Sequence, residues 1–316
     1  MRVVGQNDKR WSLGGVRAGV AVLALAALAP LVAGCGQDGK GGPNAVPPAG
    51  GQQPLQSPSA RALDSHTPEL RAAHAAHAAR AAVAKRWGLK QVPLTAPPAP
   101  EKKPRVTTRK GFEVDGHRRL DLPPVFTTVP TEEKVVFLTI DDGAEKDPAF
   151  LRMMNELKIP YTAFLSDYVI KDDYGYFGEM QDRGVGLNNH TLNHPYLPGL
   201  SYARQKREIC GMQDVIEERY GERPVLFRPP FGNYNKDTLR AAKACGIEYA
   251  LLWNEEVFVD RWEYREWDRK LRPGDIVLTH FRGRGEWEGT MPDMIRRFLD
   301  KVTAEGYAVG RLEDYL

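Results

Sequence analysis

The sequence has little of what would mark a thiolate metal site or a nucleic-acid-binding protein. Its 316 residues include three cysteines and no Cys-x-x-Cys pair. The net charge is only +3 and no long basic run is present, so binding to nucleic acid is not expected. Cys210 and Cys245 lie within the folded part, where a disulfide formed in an oxidising compartment and two buried free thiols fit the sequence equally well.

Glycine and proline are frequent but unevenly spread, which divides the chain into segments. The 30 glycines and 24 prolines are dense before residue 105, whereas apolar runs at regular intervals follow it. Because 42% of the residues are hydrophobic, the later part can build a packed core. We therefore predict a leader at residues 1–34, a tether at residues 35–104 and one large domain at residues 105–316.

The first 34 residues have the order of a secretory signal. A basic leader precedes the apolar run Ala18–Gly34, and small residues and Pro30 near the end of the run favour cleavage over a permanent membrane helix. The stretch Val32–Cys35 resembles a bacterial lipobox, which implies cleavage before Cys35 and a lipid on its thiol. An uncleaved membrane anchor, or secretion with an incidental cysteine, are the alternatives.

The predicted tether contains one helix between two flexible stretches. Residues Gly36–Ala60 are rich in Gly, Pro, Gln and Ser and have too few large apolar groups to offset the entropy of ordering. The alanine-rich segment Thr67–Trp87 has high helix propensity, with Thr67 as a cap. A second proline-rich stretch, Val92–Pro104, leads to the domain.

From residue 105 onward, apolar strand patterns alternate with helical ones. The run Val135–Ile140 is typical of a buried strand, and Asp147-Pro148 predicts the start of a helix that continues to Leu157. This alternation favours an α/β fold with a parallel sheet and crossover helices. Periodicity alone does not establish that the sheet closes into a barrel.

Two groups of residues with metal-binding chemistry follow predicted strands. Asp141 and Asp142 come directly after Val135–Ile140, where one acid can bind a metal while the other acts as a base, although Asp-Asp-Gly is also ordinary turn chemistry. His190 and His194 are four residues apart, a spacing that can place two imidazoles on one metal ion. Two surface or capping histidines would show the same spacing.

Two further motifs lie later in the chain. The turn Arg228–Gly232 is stiffened by two prolines, so it can aim the amide of Phe231 at a substrate oxygen while Arg228 holds a carboxylate. A rigid turn with a buried ion pair is the alternative. Leu278–His280 is another apolar strand that ends in a histidine, and such a histidine is often structural.

Taken together, the four motifs resemble those of the polysaccharide deacetylase family, the NodB-homology domain of carbohydrate esterase family 4. The resemblance covers roughly residues 131–316 and implies a distorted (β/α) barrel, usually with seven strands, that follows the leader and the disordered and helical linker. The matching motifs are TIDDG (Thr139–Gly143), HTLNH (His190–His194), RPPFG (Arg228–Gly232) and LTH (Leu278–His280).

The roles that the family gives to the base and the metal ligands can be assigned to single residues of this sequence. The resemblance implies that Asp141 is the catalytic base and that Arg228 orients it. It also implies that Asp142, His190 and His194 are the metal ligands. Zinc is the expected ion, and cobalt or nickel would suit the same ligands.

The second part of the site has two departures from the family pattern. His280 would be the general acid and Leu278 would line the acetyl pocket. The amide of Phe231 would hold the oxyanion, although the family commonly has Tyr at this position. The Asp-Trp element that forms the pocket wall and supports the acid has no secure match here; Trp253 and the segment Asp260–Trp262 are the candidates.

The resemblance implies a hydrolase that removes N-acetyl groups from a glycan. With the lipid anchor, the expected location is the extracellular face of the cell membrane beside the wall, so peptidoglycan is the first candidate substrate. An O-acetyl esterase that uses the same site, and a glycan-binding lipoprotein without catalysis, are the alternatives. We expect a monomer whose partners are the polysaccharide and the membrane.

Overall fold

The structure, a computed structural model, describes residues 68–316. The predicted signal peptide at residues 1–34, the proposed lipidation site Cys35 and the first part of the tether lie outside the described residues. Within residues 68–316, none of the helices has both the length and the apolar character needed to cross a bilayer.

Helices and strands alternate along most of the described chain. The helices are α1 (Pro68–Arg86), α2 (Pro148–Leu157), α3 (Asp167–Ile170), α4 (Tyr174–Gln181), α5 (Tyr202–Tyr220), α6 (Lys236–Ala244) and α7 (Met291–Ala304). The strands are β1 (Val125–Phe126), β2 (Val135–Asp142), β3 (Thr162–Leu165), β4 (Gly186–Asn189), β5 (Leu226–Phe227), β6 (Tyr249–Leu251), β7 (Glu255–Val257), β8 (Trp262–Tyr264), β9 (Ile276–His280) and β10 (Ala308–Val309).

The strands form a curled, mostly parallel sheet that closes into a distorted (β/α) barrel, as predicted. Among the described residues, seven strands pair in parallel in the order β1-β6-β5-β4-β3-β2-β9. β7 pairs in parallel with β9, and β8 pairs antiparallel with β7. Only residues 252–254 separate β6, which pairs with β5, from β7, which pairs with β9, so this short segment joins two strands that are distant in the strand order.

β2 shows how the sequence fills both faces of the sheet. All eight of its residues are buried, because helices cover one face and the barrel interior covers the other. Val136, Leu138 and Ile140 pack in the outer core with residues of α2 and α7. Val135 and Phe137 alternate with them and pack in the inner core. The same alternation places Thr139 and Asp141 on the inner side of the strand.

Helix α2 begins and ends where the sequence predicts. The side chain of Asp147 accepts a hydrogen bond of 2.8 Å from the amide of Ala149, and Pro148 occupies the first turn. Lys158 closes the helix in the left-handed backbone region, with φ of 54°. The helix therefore runs from the carboxyl end of β2 to the amino end of β3, as a crossover between parallel strands requires.

The last part of the predicted tether contacts the barrel. The Trp87 indole donates a hydrogen bond of 2.7 Å to Glu156 at the end of α2, and the amide of Lys90 donates one of 2.9 Å to Asp300 of α7. Ala84 and Leu89 are buried in the outer core. Helix α1, which was predicted from its alanine content, therefore packs against the barrel at the end of its second half.

A disulfide joins two neighbouring helices. Cys210 of α5 bonds to Cys245, the residue that caps the end of α6. The sequence left this pair open between a disulfide and two free thiols, and the structure has the bond. It fixes the middle of α5 to the turn that leads into β6.

Candidate active site

The barrel brings the four motifs together at the carboxyl ends of its parallel strands. Asp141 is the last residue but one of β2 and lies opposite His280 of β9 in the strand register. His190 directly follows β4, and Arg228 directly follows β5, the next strand in the sheet. Because these strand ends meet at one rim of the barrel, residues up to 139 positions apart in sequence share one site.

The three predicted metal ligands converge on one point. One ligand atom from each of Asp142, His190 and His194 lies within 4.8 Å of the other two. Nε2 of each histidine is 3.5 Å from Oδ1 of Asp142. Two imidazoles and one carboxylate of this kind are a common ligand set of catalytic zinc sites, which keep further positions open.

Two observations show that these residues fit a divalent metal ion. Oδ1 of Asp142 is buried and has no hydrogen-bond partner among residues 68–316, which is costly unless a cation or water satisfies it. Nδ1 of His190 lies 2.7 Å from the carbonyl oxygen of Arg228. Since that oxygen can only accept a hydrogen bond, Nδ1 carries the proton and Nε2 offers its lone pair to the Asp142 side.

The electrostatics of the ligands favour the forms that bind metals. Burial, together with the neighbouring His190, lowers the pKa of His194 to about 4, so its imidazole is neutral near neutral pH. Burial opposes ionisation of Asp142, but the surrounding His280, His190, His194 and Arg282 outweigh it and lower its pKa. His194 and Asp142 are therefore in the forms, neutral imidazole and carboxylate, that bind metal ions.

Arg228 and Asp141 form a buried ion pair beside the metal ligands. Nη1 of Arg228 donates hydrogen bonds of 2.7 Å to Oδ1 of Asp141 and 2.9 Å to the hydroxyl of Thr139. The guanidinium is fully buried, 4.4 Å above the ring of Phe164. The second oxygen of Asp141 lies 3.6 Å from Nε2 of His190. Arg228 thus holds one oxygen of Asp141 and leaves the other directed at His190.

His280 is paired with a residue that the sequence did not single out. Nδ1 of His280 lies 3.4 Å from Oε1 of Glu256 on the adjacent strand β7. Burial raises the pKa of Glu256, although His280 acts against it. The candidate Asp260 is exposed and pairs with Arg261, while Trp262 stacks against Phe298 of α7. Glu256 is therefore the acid that faces the predicted general acid.

Arg282 is the second site residue that the motifs did not reveal. It follows β9 by two residues and donates a hydrogen bond of 2.7 Å to Oδ2 of Asp142. Its other terminal nitrogen donates one of 2.6 Å to Glu286 in the same loop. A lone arginine after a strand carries no local pattern, so only the fold shows that it reaches the Asp142 carboxylate.

The residues predicted to contact the substrate lie beside these groups. Leu278 and Trp253 are buried on the inner side of the barrel, and the Trp253 ring lies 5.7 Å from the guanidinium of Arg228. Phe231 is exposed, with its ring centre 4.6 Å from that of His194. Leu278 and Trp253 therefore lie in the inner core with Arg228 nearby, while the Phe231 ring lies beside His194.

Unusual backbone conformations are concentrated at this site. Of seven non-glycine residues with positive φ among residues 68–316, four belong to the site motifs. Such conformations are costly for residues with a Cβ atom and persist where the surrounding structure holds them. The four are Asp142 (φ 78°), Thr191 (φ 74°), His194 (φ 53°) and Phe231 (φ 59°).

Helix α5 supports the loop that carries both histidines. Glu208 accepts hydrogen bonds of 2.9 Å from the amide of Asn193 and 3.0 Å from its side chain. The Glu208 carbonyl accepts another from Leu192, and the carbonyl of Ile209 accepts one from Asn189. The position of the histidine loop therefore depends on α5, one turn or less from the disulfide.

Comparison with known proteins finds one matching family model and several similar proteins. The family model described as polysaccharide deacetylase matches residues 128–250. An uncharacterised protein of Streptomyces coelicolor is 42% identical over 64% of this chain and 81% of its own length. A peptidoglycan-N-acetylmuramic acid deacetylase of Bacillus subtilis is 30% identical over 63% of this chain, which covers only 42% of that protein. A peptidoglycan-N-acetylglucosamine deacetylase of Bacillus cereus is 25% identical over 57% of this chain and 86% of its own length.

A solved structure agrees with the fold. The barrel is similar to a family 4 carbohydrate esterase from Bacillus anthracis, with a TM-score of 0.53 and 23% identity. The similarity covers 70% of this chain and 98% of that one. At this level of identity the likeness concerns the architecture, a barrel whose strand ends present the motifs.

Proposed function

The chain belongs to the polysaccharide deacetylase family of hydrolytic deacetylases, and we propose that it removes N-acetyl groups from N-acetylglucosamine-type residues of a cell-wall polysaccharide in a metal-dependent reaction. One observation carries the proposal: Asp142, His190 and His194 meet at one point, with Asp141 beside them. Peptidoglycan is the first candidate substrate, because two of the similar proteins are named as peptidoglycan deacetylases.

Asp142, His190 and His194 would hold the metal ion. When bound, a divalent ion supplies Lewis-acid polarisation of the acetamide carbonyl and lowers the pKa of a coordinated water toward about 7. Zinc suits two imidazoles and one carboxylate, and cobalt or nickel suit them as well. We propose zinc as the ion in the cell.

The chain's own residues would move the protons. Asp141, held by Arg228, accepts a proton from the attacking water through the oxygen that faces His190. The amide of Phe231 donates a hydrogen bond to the carbonyl oxygen as negative charge develops there. His280 gives a proton to the departing nitrogen, and Glu256 stabilises its charged form. The products are acetate and a free amino sugar.

The proposed location rests on the sequence before residue 68. A lipid on Cys35 would attach the protein to the outer face of the cell membrane. The wall polymer would then lie within reach of the enzyme. The mass of the N-terminal peptide, measured with and without an inhibitor of lipoprotein signal cleavage, tests this proposal. An unlipidated Cys35 in the mature protein would contradict it.

Acetate release from purified substrates tests the activity. We expect release from peptidoglycan or chitin oligomers, loss of release after chelation, and recovery on addition of zinc. Asp141→Asn should lower kcat by about 10²- to 10⁴-fold while the protein still binds zinc, because a general base contributes on that scale. Asp260→Asn, at an exposed carboxylate that pairs with Arg261, is the matched control and should leave kcat unchanged.

Three outcomes would contradict the proposal in different ways. Release of acetate from acetylated xylan but from no N-acetylated glycan would indicate an O-acetyl esterase. Glycan binding without acetate release from any of the substrates would indicate a binding protein. Full turnover by Asp141→Asn would show that another residue is the base.

A further inference from the structure

A cavity of about 600 Å³ lies at the end of the barrel opposite the predicted metal ligands. Its walls include residues 159–161, which lead into the amino end of β3, and residues 184–185, which lead into the amino end of β4. His190, in contrast, follows the carboxyl end of β4. The length of the strand therefore separates this cavity from the candidate active site.

Three parts of the chain build the cavity. Besides the segments that enter the strands, helix α1 contributes Arg80 and the tether contributes residues 94–97. Arg80 donates a hydrogen bond of 2.6 Å to the hydroxyl of Thr95 and another to the carbonyl oxygen of Pro93, and these bonds hold the tether against α1. The volume lies within the range of small-molecule sites in proteins, about 300–1,000 Å³.

The floor of the cavity is apolar. It is lined by five buried side chains of the outer core, those of Leu151, Met154, Ile159, Val185 and Val309. Apolar atoms that face a cavity gain free energy when a ligand displaces water from them. The floor therefore suits a ligand with an apolar face.

The edge of the cavity is cationic. One lining residue is acidic, Asp314, whereas four exposed lining residues carry positive charge, namely Arg80, Lys158, Arg183 and Arg311. Arg183 pairs with Glu179 at 3.3 Å, and Arg311 pairs with Asp314 at 3.3 Å. Arg80 and Lys158 have no acidic partner among residues 68–316. Two positive charges thus remain for a ligand.

A buried hydrogen-bond donor also lines the cavity. Tyr161 is only 5% exposed, yet its hydroxyl has no hydrogen-bond partner in the described part of the chain and is not enclosed by protein atoms. Burial raises the pKa of Tyr161, so the hydroxyl keeps its proton and can donate it, and the charge of Arg183 acts on it from nearby. A buried polar group without a protein partner commonly marks the place of a bound water, ion or ligand.

We propose that this cavity binds an organic phosphate, with the phosphate group at Lys158, Arg183 and the Tyr161 hydroxyl and the organic body on the apolar floor. A phosphate monoester carries about two negative charges near neutral pH, which matches the two positive charges that lack an acidic partner. Guanidinium groups bind phosphate oxygens through paired hydrogen bonds, and a neutral donor adds to them. This binding is a second property of the protein, independent of deacetylation.

Calorimetric titration of the full zinc-loaded chain with phenyl phosphate tests the proposal. Phenyl phosphate should bind, phenol should not, and inorganic phosphate should bind about tenfold more weakly because it has no apolar body. Lys158→Gln should weaken binding of phenyl phosphate about tenfold and Tyr161→Phe about two- to tenfold, since they remove a charged and a neutral donor. Lys206→Gln, at an exposed lysine of α5 outside the cavity, is the matched control and should leave binding unchanged.

Phosphates also bind metal ions, so the titration is repeated after a chelator has removed the zinc. Binding in the cavity should persist, because the cavity and the metal ligands lie at opposite ends of the barrel. The melting temperature of Tyr161→Phe should match that of the wild type, because the hydroxyl has no protein partner to lose. Lys158 is exposed, so Lys158→Gln tests the site even if the buried Tyr161 variant is unstable.

Vesicles of phosphatidylglycerol in phosphatidylcholine, tested in parallel, identify the source of the phosphate. Cosedimentation with these vesicles that is lost in Lys158→Gln would indicate a lipid headgroup, whereas binding of phenyl phosphate without cosedimentation would indicate a soluble organic phosphate. Loss of phenyl phosphate binding on removal of zinc would place the ligand at the metal and overturn the proposal. Equal affinities of the wild type, Lys158→Gln and Tyr161→Phe, or an equal loss in Lys206→Gln, would also overturn it.

Discussion

Arg282 donates a hydrogen bond of 2.7 Å to Oδ2 of Asp142, while Oδ1 of the same carboxylate faces His190 and His194 at 3.5 Å. The two oxygens of this proposed ligand residue thus have separate partners. This arrangement fixes the rotation of the carboxylate, so that a single oxygen is presented to a metal ion. Residues that hold a ligand in this way commonly matter nearly as much as the ligand itself.

Replacement of Arg282 by Gln should weaken zinc binding by about 10- to 100-fold. Removal of the positive charge of Arg282 by itself favours binding of a cation, because it removes electrostatic repulsion. A net loss of zinc affinity would therefore show that orientation of the Asp142 carboxylate outweighs this repulsion. Competition with a chelator of known affinity measures the effect on the metal-free protein. Arg284→Gln, at an exposed arginine of the same loop, is the control. Unchanged or tighter zinc binding by Arg282→Gln would contradict the positioning role.

Replacement of Glu256 by Gln should lower kcat by about 10- to 100-fold while zinc binding stays unchanged. The reason is that the carboxylate 3.4 Å from His280 holds the imidazole that gives up the proton. Acetate release from a glycan substrate at constant ionic strength measures kcat. Glu263 lies opposite Glu256 in the β7–β8 register but is exposed and pairs with Arg261, so Glu263→Gln should leave kcat unchanged.

Removal of the disulfide should lower the free energy of unfolding by about 4 kcal/mol, because the bond closes a loop across 35 residues. It should also weaken zinc binding, since Glu208 and Ile209 next to Cys210 hold the histidine loop. Urea unfolding and zinc titration of a Cys210→Ser, Cys245→Ser double variant measure both effects. A reductant should lower the free energy of unfolding of the wild type and not that of the double variant. Equal free energies of unfolding for the two proteins would show that the disulfide contributes nothing to stability.

Glu255 should make the barrel less stable as the pH rises. Burial, with the nearby Asp275, raises the pKa of Glu255 from 4.5 to about 9. The folded protein therefore keeps a proton there that the unfolded chain loses near pH 4.5. The stability from this group is complete below about pH 4.5 and is lost progressively as the pH approaches 9.

Glu255→Gln should therefore flatten the pH dependence of stability. Urea unfolding between pH 5 and pH 9 should show a smaller decline for this variant than for the wild type, because the amide has no proton to lose. Glu263→Gln, an exposed glutamate on the neighbouring strand, should keep the wild-type slope. Identical slopes for Glu255→Gln and the wild type would contradict the raised pKa.

The parts of the site that follow strands could be predicted from the sequence. Asp141 and Arg228 each follow an apolar run and His190 follows a weaker strand pattern, and a parallel barrel gathers such strand ends at one rim. Glu256 and Arg282 could not be found in this way. Their partners His280 and Asp142 lie on other strands, so the pairs exist only through strand register and loop path.

The same limit applies to the cysteines and to the tether. Spacing along the chain does not say whether Cys210 and Cys245 meet, because that depends on how α5 packs against α6. Similarly, the alanine-rich segment has a weak apolar pattern, yet Trp87 finds Glu156 and Leu89 enters the outer core. These contacts are set by the shape of the barrel surface and not by local propensity.

The contact between Trp87 and Glu156 has a directional consequence. Glu156 lies at the end of α2 that leads to the amino end of β3, whereas the histidines follow the carboxyl end of β4. The chain thus joins the barrel on the side remote from catalysis. The segment around Trp87 therefore leaves open the rim through which a long polymer would reach Asp142, His190 and His194.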